Sequence, residues 1–469
     1  MPDATTILET IEREGVQTVD LRFTDLHGHW RHVSWPPAAL DPTILGEGAL
    51  FDGSAIAGWR DASQSDMLLK PDLASAVLDP FSAQPSLILL CDVAEPGSGL
   101  GYDRCPRSLA RRAVDHLTRG GLADEARVGH QAEFFVFDDV RFTIDEHEVA
   151  CRVDAEEGPY NSDTRYDVGN QGHRPGFGDA ALVVPPVDHA ADLRAEMVTM
   201  LAKMGVRVLY HHHDSAPSQQ QFACAPADLV TSADQLQLYK YVIRSVAASY
   251  GKTATFLPKP VAHRPGSGMQ LQHSLWKDGR PLFAGPGYAD LSDVCLYFIG
   301  GILHHARALN AFTNPTTNSY RRLVPVENAP RQLAYAALNR SSAIRLPFAS
   351  RPDEKRVEVR FSDPAANPYL AFAAILMAGL DGIQRQLDPG EPMDRNLYDL
   401  PPEEIDELPE VCRSLGEALA ALDQDRAFLV ADDVFTDDLI ETYIALKRAE
   451  IEAIERVPHP MEFKLHYSC

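Results

Sequence analysis

The segment CPRSLARRAVDHLTRGG, Cys105 to Gly121, divides the chain and constrains its fold more than any other stretch. Pro106 suits the first turn of a helix and Gly120 stands past its end, so the spacing predicts a helix here. Before it, an amphipathic helix around Thr6 to Glu14 is followed only by strands. VQTVDLRFTDLHGHWRHVSWP, Val16 to Pro36, reads as two strands joined at Leu26-His27-Gly28. Further strands are expected near Ala76 to Leu78 and over Ser86 to Val93. After the dividing helix the patterns mix, with helices expected at Ala190 to Met204, Ser232 to Ser249, Leu291 to Thr313 and Pro368 to Gln386. A chain of 469 residues is too long for one compact core, so the reading is α+β: a small sheet domain over residues 1–105 and a larger domain over 106–469.

The hydrophobic fraction of 45% and charged fraction of 23% are those of a globular protein, and no repeat or low-complexity tract suggests a solenoid or adaptor. A formal net charge of -24 disfavours binding to nucleic acid or to an anionic membrane, which both need basic surface. The seven cysteines include no CxxC pair, which fits a reducing cytoplasm. The acidic N-terminus lacks the pattern of a signal peptide, and no run of 18 apolar residues predicts a membrane span. A soluble, cytoplasmic protein is expected.

Several local motifs have both a chemical and a plain structural reading. In GHQAEFFVF, Gly129 to Phe137, strand periodicity places Gln131 and Glu133 on one face, where a metal site would prefer two carboxylates. HHHD, His211 to Asp214, has the residue types of a metal cluster, but neighbours in a strand point to opposite faces, which favours a run of satisfied histidines. GSGMQLQHSL, Gly266 to Leu275, is a glycine-rich turn entering a strand and matches neither a Walker loop nor a Rossmann fingerprint. RVEVRF places Arg356, Glu358 and Arg360 on one face, a pattern that also arises as a neutralising ladder.

Taken in order, longer segments carry more. VDLRFTDLHG, FDGSAIAGW, SDMLLKPD, GYDRCPRS, GNQGHRP, GKTATFLPKP, NPTTNSYRRLVP, DPAANPYLAFAAILMAGLDGI and NLYDLPPEE make the sequence similar to type I glutamine synthetase, the bacterial ATP-dependent glutamate–ammonia ligase, along essentially its whole length. The resemblance implies an N-terminal β-grasp domain, a glutamine-synthetase/guanido-kinase-like catalytic domain, and a dodecamer of two stacked hexamers. It implies ATP with Mg²⁺ or Mn²⁺, one ion held by three glutamates and the other by two glutamates and a histidine. Carried over by position, Glu133 and Glu358 match family ligands and Asp214 keeps a carboxylate. Gln131, Phe222 and Gln270 stand at positions where the family has ligands.

Other substitutions fall around the same site. Asn328 replaces the glutamate of the flap that shields the intermediate; assigning that role to Glu327 requires a register shift against Ala329 and Pro330. Pro265 and Ala55 replace an asparagine and a small hydroxyl residue, while Asp52 beside the ammonium pocket is kept. Arg340 matches a catalytic arginine, Gly266, Arg322 and Arg360 match substrate-binding positions, and Ser274, Arg345 and Arg356 match nucleotide-binding positions. Tyr398 coincides with the family's adenylylated tyrosine. The arginines also have a reading as structural ion-pair partners.

Because neutral side chains are poor ligands for a small dication and charge preorganised around phosphate is a large catalytic term, the favoured expectation is a homologue that has lost canonical ligase activity. It would bind ATP and metal weakly, accept a small anion, and assemble alone or with an authentic synthetase. The alternatives are an active ligase for ammonia or another amine, with a single Mg²⁺ held by Glu133, Asp214 and Glu358 aided by Gln131 and Gln270.

Overall fold

The computed structural model describes residues 2–176, 178–323 and 329–468. A short helix, Ala4–Arg13, is capped by Asp3, whose carboxylate accepts from the Thr6 N–H. Strands β1 (Thr18–Thr24) and β2 (Trp30–Trp35) then pair antiparallel with Thr24 opposite Trp30, as the hairpin pattern predicts. Gly28 in their turn has φ +86°, and a Cβ there would lie 3.1 Å from the Asn367 Cα, so the small sheet's turn is pressed against the loop that opens the helix Pro368–Arg385. With β3 (Ala49–Asp52), β4 (Asp66–Leu78) and β5 (Ser86–Ala94), the sheet runs β2-β1-β5-β4-β3, with β1 and β5 parallel. Only the last residues of β4 were expected as strand. Lys70, Pro71 and Asp72 break its apolar alternation, and a register shift separates Asp72 from Val77.

The long strand β6 (Glu125–Phe137) is the spine of a second sheet, and β7 (Asp139–Ile144) with β8 (Val149–Asp154) forms a separate hairpin. The second sheet is completed by β9 (Val208–His213), β10 (Gln219–Cys224) and β11 (Ala227–Asp228) on one side of β6. On the other side lie β12 (Thr253–Thr255), which shares Phe135 with β10 across β6, then β13 (Met269–Lys277), β14 (Arg280–Pro281), β15 (Tyr335–Ala337), β16 (Ile344–Leu346) and β17 (Val357–Val359), giving the path β15-β16-β17-β13-β6-β10-β9.

Helices Pro106–Arg119, Leu229–Ser249, Asp293–Thr313 and Pro368–Arg385 form the hydrophobic core with one face of this sheet. The contacts show which face. Tyr239 donates to the Ala132 carbonyl and meets Phe134 and Phe222 edge-on, while His273 packs against Phe298 and Phe372. The opposite face carries the polar side chains of β6, β10 and β13. No helix among the described residues is long and apolar enough to cross a membrane.

Candidate active site

Side chains two residues apart on a strand share a face, so the helix-packed positions Ala132 and Phe134 leave Gln131 and Glu133 on the other side of β6. Strand pairing brings their neighbours into line. Gln131 lies opposite Gln270, Glu133 opposite Gln221, Gln272 opposite Glu358, and Glu358 opposite Arg345. The sheet thus gathers Gln131, Glu133, Gln270, Glu358 and Arg345, residues far apart in sequence, on one polar surface.

At its centre the Glu133 carboxylate is caged by neutral donors. Gln221 Nε2 (3.2 Å) and Gln270 Nε2 (3.0 Å) donate to one oxygen, Gln219 Nε2 (3.2 Å) and the Gly268 N–H (2.7 Å) to the other. Gln221 Nε2 also donates to Gln270 Oε1 at 3.1 Å, and Tyr210 donates to Gln131 Oε1 at 3.2 Å. Burial, together with the nearby Asp214 charge, pushes the Glu133 carboxyl up to about 7, against the opposing pull of Arg322 and the Gly268 and Gln270 donors. The Asp214 carboxylate itself accepts from the Ser215 N–H and hydroxyl.

Phe222 does not face the site. It is fully buried, edge-on to Phe134 and Tyr239 at centroid distances of 5.5 and 6.0 Å. The residue beside Glu133 is Gln221, and the reason is parity: a one-residue slip in counting through the turn between β9 and β10 exchanges the two faces of a strand. Gln221, Gln219 and Gln272 were missed as site residues, although the period-two pattern of QQQFAC, with Phe222 as its apolar member, places Gln221 on the opposite face. The histidines before Asp214 have separate partners: His213 lies between the Glu157 carboxylate and the Asp214 carbonyl, and His211 Nδ1 accepts from Arg194.

The second carboxylate is held by cations. Glu358 accepts from Arg360 Nη1 (2.7 Å), Arg345 Nη1 (3.3 Å) and Gln272 Nε2 (3.2 Å). Burial alone would raise its pKa, but the charges and hydrogen bonds of Arg360 and Arg345 hold it below the usual carboxylate range. Arg356 is anchored by the Gln272 carbonyl oxygen and the Glu354 backbone. Arg322 is buried, donates to the carbonyls of Arg360, Phe361 and Ser362, and lies against Gly268, where a Cβ would come within 2.5 Å of its guanidinium. Gly266 presents its carbonyl to Gln219 Nε2.

The remaining candidates are more dispersed. Ser274 Oγ accepts from Trp276 Nε1 near the end of β13, where the Arg127 guanidinium sits 3.8 Å over the Trp276 ring. Arg340 is exposed, and its carbonyl accepts from Arg360 Nε. Tyr398 lies on a short 3-10 turn, 38% exposed, where burial raises its pKa against the pull of Arg360 and Arg322. Asp52 lies on the small sheet, bonded to Ser54, and among the described residues makes no hydrogen bond or ion pair to this polar surface. Asn328 and Glu327 lie outside the described residues.

Known proteins match both parts of this architecture. Residues 15–96 match the family model for the glutamine synthetase beta-Grasp domain, and residues 103–466 that for the glutamine synthetase catalytic domain. The chain belongs to the type I glutamine synthetase family. It is 54% identical to a glutamine synthetase of Azospirillum brasilense over 100% of both chains. It is 52% identical to the glutamine synthetase of Escherichia coli K12, covering 98% of this chain and 99% of that one. A solved glutamine synthetase of Plasmodium falciparum superposes with a TM-score of 0.91 at 28% identity, covering 100% and 99% of the two chains.

These comparisons correct the expectation that ligase activity has been lost. Full-length relatives at this level of identity carry the name glutamine synthetase, so the reading of an active ligase with a depleted metal site fits better. They do not restore the missing ligands. Among the described residues, no group of three or more His, Cys, Asp or Glu is disposed to hold a metal ion. The single-ion alternative also needs correction. Glu133 is four residues along β6 from Gly129, which lies two strands across from Glu358, so strand spacings put the two Cα atoms roughly 16 Å apart. Glutamate side chains cannot span that gap to share one cation. The residues present do not fit the family's pair of dications.

Proposed function

We propose that the chain is an ATP-dependent ligase that joins ammonia, or another small amine, to the side-chain carboxyl of glutamate. The observation that carries this reading is the identity of 51–54% across the whole length to proteins named glutamine synthetase. In the reaction a γ-carboxylate oxygen of glutamate attacks the terminal phosphorus of ATP and ADP leaves. The amine nitrogen then attacks the acyl carbon, loses a proton, and phosphate departs with that oxygen.

Arg340, Arg345 and Arg356 are assigned to the phosphates and Arg322 and Arg360 with Gly266 to the amino-acid end. Arg345 supports its assignment, because its buried Nε has no hydrogen-bond partner among the described residues and is left as a donor. Preorganised donors of this kind stabilise the charge that builds on the transferring phosphoryl group. Within one subunit Asp52 bonds only to Ser54 among the described residues, so the reading gives its role near the amine to the site of a neighbouring subunit in the ring. The reading therefore includes a dodecamer in the cytoplasm, a domain boundary at residues 105/106, and Tyr398 as an exposed modification site.

The test is phosphate release by the full chain with ATP, glutamate and ammonium or methylamine at saturation. Release that requires both glutamate and amine is expected, at or below about 1 per second, the low end of common turnover, because charges around the phosphoryl group are missing. No amine-dependent release with either amine refutes the proposal.

A further inference from the structure

We infer that the polar sheet face neutralises nucleotide phosphate with its arginines and holds no dication of its own, an amide cage having taken the place of protein-bound metal. This rests on the nucleotide being a ligand of the site, as proposed above.

The first support is the state of the oxygen atoms. Mg²⁺ takes six oxygens in near-octahedral geometry at about 2.0–2.1 Å and gives up water reluctantly, so its protein ligands must be free acceptors. Both oxygens of Glu133 already accept, from Gln219, Gln221, Gln270 and Gly268. Both oxygens of Glu358 accept from Arg345, with Arg360 and Gln272 adding one donor each. Turning an amide over to offer its carbonyl does not free the site. Gln221 Nε2 serves Glu133 Oε1 and Gln270 Oε1 together, so a single flip sets a carbonyl oxygen against a carboxylate and another carbonyl.

The second support is charge. The face has three carboxylates, Glu133, Asp214 and Glu358, against four arginines, Arg345 and Arg360 on Glu358, Arg356 on Gln272 and Arg322, whose charge pulls on Glu133. A surface that is positive before any ion arrives disfavours two added dications and favours a polyanion. Guanidinium groups are suited to the substitution, since their planar donors match phosphate oxygens and remain charged at any working pH. The orphaned Arg345 Nε supplies one such donor.

The experiment counts ions on the full-length assembly. Free Mn²⁺ is titrated against the parent protein and against a variant with Gln131→Glu, Gln221→Glu and Gln270→His, read by electron paramagnetic resonance. ATP affinity of the parent is measured by calorimetry in EDTA and in excess Mg²⁺. The expected result is less than one Mn²⁺ per subunit on the parent under conditions where the variant binds, and an ATP affinity that changes less than fivefold on removing Mg²⁺. One or more Mn²⁺ per parent subunit, or a loss of ATP affinity of fivefold or more in EDTA, overturns the inference. If the triple variant does not fold, Gln221→Glu alone serves as the ion-binding reference. If ATP binds under neither condition, the nucleotide reading of the site fails, and the Mn²⁺ count on the parent still decides whether the face holds a dication.

Discussion

Replacing Gln221 by glutamate tests the amide cage most sharply, because it returns one charge to the point of closest approach. Gln221 Nε2 donates to Glu133 at 3.2 Å and to Gln270 at 3.1 Å, and Gln221→Glu turns both attractions into repulsions. Two carboxylates at the first distance repel by about 5 kcal/mol at an effective dielectric near 20. A cheaper route exists, because Glu133 already titrates at about 7. Holding its proton at pH 8 costs about 1.4 kcal/mol, less than the repulsion, so the variant takes up a proton rather than bearing two charges. Adding about 1–2 kcal/mol for the lost hydrogen bonds gives a destabilisation of about 3 kcal/mol at pH 8.

The pH dependence separates the two proteins. In the parent the folded Glu133 has a raised pKa, so its contribution to stability falls as pH rises from about 4.5 and levels off above about 7. In the variant the fall continues above pH 7 at about 1.4 kcal/mol per unit until the repulsion limit is reached. Urea unfolding in EDTA from pH 7 to 9 measures both slopes, and added Mn²⁺ should recover part of the loss only in the variant. A variant whose stability in EDTA matches the parent's, with no steeper pH slope, would show that Gln221 does not face Glu133.

Arg360→Met should destabilise the fold by about 3 kcal/mol in urea unfolding and weaken glutamate binding, since it removes a substrate-binding arginine and strips the shortest partner, at 2.7 Å, from the buried Glu358. Asp363 is pushed up to about 6 by burial, against the pull of Arg322, so folded-state stability should fall by about 3 kcal/mol as pH rises from about 4 to 6; Asp363→Asn should flatten that slope. The C-terminal helix Pro460–His466 leaves Phe463 and Leu465 about 60% exposed in the single chain, so deleting residues 459–469 should leave single rings or smaller species in sedimentation. Incubation with an adenylyltransferase and ATP should add one adenylyl group to the parent by intact mass and none to Tyr398→Phe.

The fold was legible wherever periodicity was unbroken. The helices Leu229–Ser249 and Pro368–Arg385 and the β1–β2 hairpin follow from spacing and end residues, because each decides its own conformation locally. β4 was not, since Pro71 and the Asp72 to Val77 bulge are fixed by pairing with β5 rather than by local preference. The site was half legible. Its alternation placed Gln131 with Glu133 and Arg356 with Glu358, but the identity of Glu133's other neighbours depends on the turn between β9 and β10. One residue of slip there exchanged Gln221 for Phe222, and sequence alone could not show that three glutamines converge on a single carboxylate.

Whether this member of the family ligates an amine to glutamate with ATP is decided by following oxygen. Glutamate labelled with ¹⁸O in its side-chain carboxyl is incubated with the protein, ATP and ammonium, and the released phosphate is analysed by mass. Activation of the carboxyl by phosphoryl transfer predicts one labelled oxygen in each phosphate, formed together with one glutamine. Unlabelled phosphate, the product of ATP hydrolysis by water, or no phosphate at all, would contradict the account.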